Sequence, residues 1–221
     1  MSAWLVPDMA GSDPARCSRE VERKFKVPPD IEQRLRAFGA SHVSTKTFVD
    51  SYYDTEDQSL CQRDFWLRLR SEKNSWELKY RRKDDASCGS AVAYREESGD
   101  ARILATLREL LPELELGPGA TEVNDLVANK ALQELAVIQT VRRTYKVPGN
   151  ALVDLDETDW GFAVGEIEVV LSETDEASMP AALEKATAEI ASLAAQLGES
   201  LLGGHLILLA VTNGVNNRIV S

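Results

Sequence analysis

The chain has 221 residues, of which 43% are hydrophobic and 28% are charged. It is long enough to bury an ample hydrophobic core, and its hydrophobic content excludes an intrinsically disordered chain. The 36 acidic residues outnumber the 25 basic residues, which gives a formal net charge of −11. This surplus argues against a general nucleic-acid or anionic-membrane binder, and the totals alone also argue against a phosphorylated ligand.

The cysteines and apolar runs predict a cytoplasmic protein without a membrane partner. Cys17, Cys61 and Cys88 form no CxxC pair and have no nearby histidine, so neither a disulfide framework nor a zinc site is expected. The longest late apolar run, Leu206 to Val211, has six residues. A membrane-spanning helix needs roughly 20.

Residues 1–17 contain Gly11 and Pro14 and show no sustained periodicity, which predicts a flexible leader. From Ser18 onward, segments of period-two alternation are separated by segments with helical spacing. The predicted strands cover residues 18–27, 47–54, 64–71, 74–82, 91–98, 138–147, 151–157 and 162–172.

Four helices are predicted between and after these strands. The first follows Pro28-Pro29-Asp30, and the second is expected to be capped by Asp100. The four helices are placed at residues 31–38, 101–111, 123–135 and 180–197. Hairpin-like strands with helices between them indicate an α+β fold. Residues 117–119 are the best candidate for a domain boundary, but similar strands on both sides favour a single domain over residues 18–221.

The charged residues are sorted by strand face and by sign. Because side chains alternate along a strand, Glu20, Glu22 and Lys24 share one face, opposite Val21 and Phe25. A charged strand face is usually a solvated face. Here, however, carboxylates come in pairs on some strands and cations come in sets on others. This sorting favours a closed, inside-out barrel, with charged side chains inside and helices covering the apolar faces outside.

Charge repulsion then constrains what such a barrel holds. Several arginines and lysines that face one cavity repel one another, and a polyanion would relieve that repulsion. Clustered carboxylates call for a hard divalent cation with oxygen ligands, so magnesium or manganese is favoured over zinc. A polyphosphate bound together with a metal ion would satisfy both sets.

A series of short motifs resembles the CYTH superfamily of triphosphate tunnel metalloenzymes. The ExExK signature of that superfamily is matched by Glu20-Val21-Glu22-Arg23-Lys24. It is followed, in the family's order, by Tyr52-Tyr53-Asp54-Thr55, Trp66-Leu67-Arg68-Leu69-Arg70, Trp76-Glu77-Leu78-Lys79, Arg142-Arg143, Val153-Asp154-Leu155-Asp156 and Gly165-Glu166-Ile167-Glu168. The resemblance covers residues 18–208, and the segments 50–70 and 159–168 are most similar to the animal thiamine triphosphatases of that superfamily.

The resemblance implies a triphosphate tunnel, which is a closed antiparallel barrel of eight strands with helices packed outside. It also implies a monomer that hydrolyses thiamine triphosphate with Mg²⁺, with Mn²⁺ as the alternative metal ion. The implied metal ligands are Glu20, Glu22, Asp154, Glu166 and Glu168. The implied triphosphate contacts are Lys24, Arg68, Arg70, Lys79 and Arg142.

Three further residues acquire expected roles from the same resemblance, and Lys79 acquires a second one. Tyr52 and Lys79 are implied as an acid/base pair, provided that cationic neighbours lower the pKa of the lysine. Trp66 and Glu96 are implied contacts to the thiamine moiety, with packing and surface exposure as their ordinary alternatives.

The chain departs from the thiamine triphosphatases near its C-terminus. His205 follows Gly203-Gly204 where those enzymes usually place a phosphate-binding lysine, so His205 is an implied substrate contact, with a bystander at the tunnel mouth as its ordinary alternative. The tail to Ser221 also lacks their Arg- and Tyr-containing ending. These departures keep open a binder of phosphorylated ligands that does not turn them over. The enzymatic alternatives are an inorganic tripolyphosphatase of the same fold and a cyclase.

Overall fold

The structure is a computed structural model, and it describes residues 17–81, 91–114, 119–171 and 178–198. This part of the chain contains eight strands. They are β1 (Cys17–Phe25), β2 (Ser41–Asp54), β3 (Phe65–Arg70), β4 (Ser75–Tyr80), β5 (Val92–Ser98), β6 (Gln133–Lys146), β7 (Leu152–Thr158) and β8 (Ala163–Leu171).

The eight strands form one closed barrel in the order β1-β5-β4-β3-β2-β6-β7-β8. Every neighbouring pair is antiparallel, including the closing pair of β1 with β8. In that closing pair Glu22 lies opposite Glu168, and Lys24 lies opposite Glu166. The α+β fold with a closed eight-stranded antiparallel barrel is therefore confirmed.

Two strands are longer at their N-terminal ends than the alternation predicted. β2 begins at Ser41 and β6 at Gln133, and the two strands pair with each other over almost their whole lengths. Most side chains from Ser41 to Thr47 are exposed. Because neither face of that segment is buried, its sequence lacks the alternation from which a strand is predicted.

The four helices are α1 (Ile31–Ala37), α2 (Asp100–Leu110), α3 (Val123–Ala128) and α4 (Met179–Leu197). The prediction of a helix from 123 to 135 was wrong in its second half, because residues from Gln133 pair with β2. The predicted cap was also wrong: Gly99 is the N-cap of α2. The Asp100 carboxylate instead accepts a hydrogen bond of 2.7 Å from the backbone N–H of Val123, at the start of α3.

The hydrophobic core lies outside the barrel wall, between the strands and the helices. Ile190 and Leu193 of α4 pack in one cluster with Val21 and Phe25 of β1. On another part of the wall, Leu104 and Leu107 of α2 pack with strand residues that include Leu67, Trp76 and Leu78. The apolar strand faces are thus covered by helices, and the opposite, charged faces point into the barrel.

Phe25 and Gly165 make a close contact in the wall between β1 and β8. The two residues are directly opposite in the strand register. A Cβ atom on Gly165 would lie only 2.1 Å from Cζ of Phe25, whose side chain is fully buried. The aromatic ring therefore fills the space that a side chain at 165 would take, and this lets the two strands close the barrel.

Several predictions concern residues outside the described ranges. They include the leader at residues 1–16, Gly117 and Pro118 of the possible boundary, and the tail with His205. The single-domain assignment of residues 18–221 therefore stays a prediction. No helix in the described ranges has the length and apolarity needed to cross a membrane.

Candidate active site inside the barrel

A cavity of about 260 Å³ opens inside the barrel and is lined by charged side chains from most of the strands. The basic lining residues are Lys24, Arg68, Arg70, Lys79 and Arg142. The acidic ones are Glu20, Glu96, Asp156, Glu166 and Glu168. The remaining lining residues are Tyr52, Ile138, Thr140, Thr158, Phe162 and Val164. The barrel thus brings all five predicted triphosphate contacts to one cavity.

Two arginines and two carboxylates form a closed ring of ion pairs on β2, β3 and β4. Arg70 donates to Asp50 through Nε at 2.9 Å and Nη2 at 2.7 Å. Arg68 donates to Oε2 of Glu77 through Nε at 2.9 Å and Nη2 at 2.8 Å. Contacts of 3.7 Å from Arg68 to Asp50 and from Arg70 to Glu77 close the ring. Both guanidinium groups are therefore held in fixed orientations beside the cavity.

Arg142 is held in a similar way by two aspartates of β7. Its Nε and Nη2 atoms each lie 2.7 Å from a carboxylate oxygen of Asp156, and its Nη1 lies 2.8 Å from Oδ2 of Asp154. The other oxygen of Asp154 accepts a hydrogen bond of 2.7 Å from the Thr144 hydroxyl. Burial raises the pKa of Asp154 above its ordinary value, although Arg142 and Thr144 oppose the shift.

The two lysines lie among the carboxylates of β1 and β8. Nζ of Lys24 is 2.7 Å from Oε1 of Glu22 and 3.0 Å from Oε1 of Glu166. Lys79 donates to Glu20 at 3.0 Å and forms a very short contact with Glu22. Two cations thus hold three glutamates together, which would otherwise repel one another in the barrel interior.

The lysines do not neutralise this carboxylate cluster completely. Burial, followed by the nearby Glu166 carboxylate, raises the pKa of Glu22 from 4.5 to about 7. Burial and the carboxylates of Glu166, Glu20 and Asp154 raise the pKa of Glu168 to about 8. The pKa of Glu20 is raised as well, mainly by burial. The carboxylates of the cluster therefore outweigh the positive charge of the two lysines.

The electrostatics of Lys79 differ from those expected of a catalytic acid/base. Burial alone would lower its pKa, but the carboxylates of Glu22, Glu20, Glu96 and Glu166 raise it well above the ordinary value. Its ammonium lies 5.1 Å from the ring centroid of Tyr94. In this structure the carboxylates outweigh the effects that lower the pKa, so Lys79 is a firmly held cation, and its acid/base role with Tyr52 stays a prediction.

The carboxylate cluster fits a hard divalent cation by the chemistry of its donors. Its donors are all oxygens, and the raised pKa values of Glu22 and Glu168 show that additional positive charge would be stabilising. Across the described ranges, however, no group of three or more Asp, Glu, His or Cys side chains is already arranged to hold a metal ion. Metal binding would thus require Lys24 or Lys79 to give up part of its contact with the glutamates.

Trp66 is buried next to a residue of the cavity lining. Its side chain is 7% exposed and packs in one cluster with Cys61, Ala136 and the lining residue Ile138. Its indole N–H donates to Oδ1 of Asp64 at 2.9 Å. Trp66 shares the strand face of Arg68 and Arg70, and its contact with a thiamine moiety stays a prediction.

Glu96 and Tyr52 both line the cavity. Glu96 lies 3.6 Å from both Arg68 and Lys79. Burial would raise its pKa, but Lys79 and Arg68 lower it to about 2. It is therefore an ionised interior group, and the surface alternative for Glu96 was wrong.

Three carboxylates that hold the arginines were not predicted as site residues. They are Asp50, Glu77 and Asp156. Each is two residues from a predicted site residue of its own strand, namely Tyr52, Lys79 and Asp154. Because residues two apart share a strand face, this spacing could have predicted that the three carboxylates also point into the barrel.

A second cavity of about 330 Å³ adjoins the first. Glu20 and Glu96 line both cavities. The other lining residues of the second cavity are Ser18, Lys73, Glu77, Glu97, Ser98 and Val170. The two shared glutamates thus lie between the mixed-charge cavity of the barrel and a second cavity whose lining has four glutamates and one lysine.

The sequence matches the CYTH domain family over residues 18–200. The chain is 39% identical over 174 residues to the thiamine-triphosphatase of Homo sapiens. The aligned segment covers 75% of this chain and 73% of that protein. The same identity and coverage are found for the thiamine-triphosphatase of Macaca fascicularis. The chain therefore belongs to the CYTH domain family.

Solved structures support the fold. A Pyrococcus horikoshii protein is 21% identical, with a TM-score of 0.51 over 86% of this chain and 98% of its own. A Hippeastrum protein, described with a dominant triphosphatase activity, is 20% identical, with a TM-score of 0.50 over 85% of this chain and 91% of its own. At these identities, the likeness shows a shared barrel architecture.

Proposed function

We propose that this chain hydrolyses the terminal phosphoanhydride bond of thiamine triphosphate to give thiamine diphosphate and phosphate. The observation that carries the proposal is the convergence of Lys24, Lys79, Arg68, Arg70 and Arg142 on one cavity. Five basic groups at one site are matched by a ligand with several negative charges. The 39% identity to thiamine-triphosphatases supports the choice of this triphosphate.

The arginines and lysines would bind the triphosphate oxygens and stabilise negative charge that develops during the reaction. The guanidinium groups of Arg68, Arg70 and Arg142 are already oriented by carboxylates, so little reorganisation is needed when the substrate binds. Lys79 and Lys24 would exchange part of their carboxylate contacts for contacts with phosphoryl oxygens. Catalysis would then result from the positioning of the triphosphate and from stabilisation of its developing negative charge.

Glu20, Glu22, Glu166 and Glu168, with Asp154 beside them, are the proposed ligands of a magnesium ion. When bound, the ion would neutralise phosphoryl charge and help to align the substrate. Asp154 already forms an ion pair with Arg142 and accepts a hydrogen bond from Thr144, so this residue also links the proposed metal site to a proposed phosphate contact.

The proposed reaction is an in-line displacement at the terminal phosphorus. A water oxygen forms a bond to that phosphorus while the bond to the bridging oxygen breaks, thiamine diphosphate leaves with the bonding electron pair, and the protons of the water stay with the released phosphate. Tyr52 lines the same cavity, and its hydroxyl is proposed to hold the substrate or the attacking water. With Lys79 protonated, its role in this step is to stabilise charge.

The direct test measures phosphate release from thiamine triphosphate by the purified chain, with and without magnesium, between pH 6 and 10. Magnesium-dependent release of one phosphate per substrate is expected. An absence of release over the whole range would overturn the proposal, and calorimetric binding without release would favour a non-catalytic binder.

Inorganic tripolyphosphate tests the main alternative within the same fold. Equal or faster turnover of tripolyphosphate would identify an inorganic triphosphatase. Cyclic nucleotide formed from ATP would instead identify a cyclase. We expect thiamine triphosphate to have the higher kcat/KM, because part of the cavity wall is apolar.

A further inference from the structure

Asp64 does not line the cavity, but its carboxylate binds two aromatic side chains from the strands of the barrel. The indole N–H of Trp66, on β3, donates to Oδ1 of Asp64 at 2.9 Å. The hydroxyl of Tyr94, on β5, donates to the same carboxylate and lies 3.2 Å from each of its oxygens. One carboxylate therefore connects β3 with β5 across the intervening strand β4.

The strand register places Lys79 between these two aromatic residues. Trp66 lies directly opposite Lys79 in the pair of β3 with β4, and Lys79 lies opposite Glu96 in the pair of β4 with β5. Tyr94 is two residues from Glu96 and shares its strand face, and it lies opposite Glu20 of β1. The strand on each side of Lys79 thus contributes one of the two aromatic residues.

The Tyr94 ring contacts the ammonium of Lys79. Nζ of the lysine lies over the ring, 5.1 Å from its centroid. An ammonium that is shielded from water is attracted to the face of an aromatic ring. The same ammonium donates to the carboxylates of Glu20 and Glu22. The position of this cation therefore depends on the ring as well as on two carboxylates.

The hydrogen bond to Asp64 fixes the orientation of the Tyr94 ring. Tyr94 is 5% exposed, and within the described ranges its hydroxyl has no other hydrogen-bond partner. If Asp64 were lost, this buried hydroxyl would lose a hydrogen bond that solvent cannot readily replace. Burial and the Asp64 carboxylate raise the pKa of Tyr94 above its ordinary value, so the hydroxyl stays protonated and remains a donor.

The backbone at Asp64 holds this carboxylate in place. Asp64 follows the short 3-10 helix Cys61–Arg63 and has a left-handed conformation with φ of 65°. Its backbone N–H donates to the Cys61 carbonyl at 3.1 Å. Aspartate and asparagine adopt this conformation more readily than most other residues. An Asp64→Asn substitution therefore removes the charge without straining the backbone.

We propose that Asp64 is a positioning residue for the Lys79 ammonium and that it acts through the Tyr94 ring. This inference rests on the proposed function, in which Lys79 binds a phosphoryl group. The Trp66 indole N–H holds the carboxylate of Asp64 from β3, and the Tyr94 hydroxyl transmits that position to β5 and to the cation between them.

The test measures the affinity for inorganic diphosphate by isothermal titration calorimetry with magnesium present. This ligand has no organic group, so it reports on phosphate binding alone. Asp64→Asn should weaken binding about fivefold, because a neutral amide accepts a weaker hydrogen bond and the Lys79 ammonium loses its fixed position. Tyr94→Phe keeps the ring but removes the hydroxyl, and it should weaken binding to a similar extent.

Asp57→Asn is the matched control. Asp57 lies on the same connection between β2 and β3, is exposed, and accepts hydrogen bonds from the hydroxyls of Thr55 and Ser59. The substitution makes the same chemical change away from the cavity lining. The affinity of this variant for diphosphate should equal that of the wild-type chain. Urea unfolding of all the variants shows whether each is folded under the conditions of the titration.

Double-mutant cycles separate a positioning role from a general effect on the fold. In the Lys79→Gln background, which lacks the ammonium, Asp64→Asn should cause little further loss of affinity. The losses caused by Asp64→Asn and Tyr94→Phe should likewise not add in the double variant, because both break the same hydrogen bond.

Two outcomes would overturn the positioning role. One is an unchanged diphosphate affinity in Asp64→Asn, and the other is a loss that adds in full to that of Lys79→Gln or of Tyr94→Phe. Phosphate release from thiamine triphosphate is measured separately on the same preparations. Its absence would overturn the proposed reaction, while the diphosphate affinities still decide the role of Asp64.

Discussion

Arg70 and Asp50 form a bidentate ion pair inside the barrel, with donor to acceptor distances of 2.9 and 2.7 Å. The Asp50 side chain is almost completely buried, and the Arg70 guanidinium also lies 4.4 Å from the ring centroid of Phe48. Arg70, which is proposed to bind phosphate, is thus oriented by a carboxylate and an aromatic ring of the neighbouring strand.

Asp50→Asn should destabilise the fold and weaken substrate binding. The change leaves the interior charge of Arg70 without its main partner, which costs about 3 kcal/mol in comparable buried pairs. Urea unfolding measures the free energy, and the KM for thiamine triphosphate should rise because Arg70 loses its orientation. Asp30→Asn is the control: its exposed pair with Arg34 should contribute under about 1 kcal/mol. An equal effect of the two substitutions would contradict the assignment.

Glu168 should make the metal-free protein less stable as the pH rises. Its pKa is about 8 in the folded protein against an ordinary value of 4.5. A carboxyl group whose pKa is raised by folding stabilises the fold below its unfolded pKa, and this contribution is lost as the pH rises through the folded value. The wild-type chain should therefore lose stability relative to Glu168→Gln between about pH 4.5 and 8.

Thermal unfolding in a chelating buffer measures this difference across the pH range. Adding magnesium at pH 8 should raise the Tm of the wild-type chain more than that of Glu168→Gln, because only the former keeps the carboxylate. Parallel curves for the two proteins, with and without magnesium, would show that Glu168 is not the titrating group.

Lys79→Arg should preserve part of the activity and the shape of the pH profile. The neighbouring carboxylates raise the pKa of Lys79, so its proposed role is that of a permanent cation, which arginine can partly replace. Lys79→Gln removes the charge and should abolish turnover. Profiles of kcat/KM from pH 6 to 10 provide the test. An alkaline loss of activity that disappears in Lys79→Arg would instead identify the lysine as an acid/base group.

Gly165→Ala should destabilise the barrel where β1 meets β8. The added methyl would lie 2.1 Å from Cζ of Phe25, and a buried ring that forms part of the core has little freedom to move. We expect a loss of about 2 to 3 kcal/mol in urea unfolding. Gly119→Ala, whose added Cβ meets no atom within 4 Å, is the control. A second substitution, Phe25→Leu, should recover part of the loss in the Gly165→Ala background.

The alternation of residues predicted much of this site. Period-two spacing separated Glu20, Glu22 and Lys24 from Val21 and Phe25, and it did the same for the arginines of β3. Since a strand has two faces and the apolar one is buried against helices, the charged side chains could be placed inside a closed sheet. The resemblance to the family then implied the same closed antiparallel barrel of eight strands.

Other features were decided by contacts between distant parts of the chain. Asp50 lies 20 residues from Arg70 in sequence, and their pairing depends on the register of β2 with β3. The raised pKa of Lys79 arises from carboxylates on three other strands. Ion-pair partners and pKa shifts depend on distances through space, and a sequence specifies these only after the sheet has closed.

The net charge of −11 also illustrates the difference between what the sequence determines and what only the tertiary structure decides. The order of charges along each strand was sufficient to predict a set of basic side chains inside an acidic protein. The tertiary structure decided which carboxylate holds which cation, which carboxyl groups remain short of positive charge, and that Trp66 packs with Ala136 and Ile138. Local alternation determines the face on which a side chain lies, whereas barrel closure and register determine the atoms that it meets.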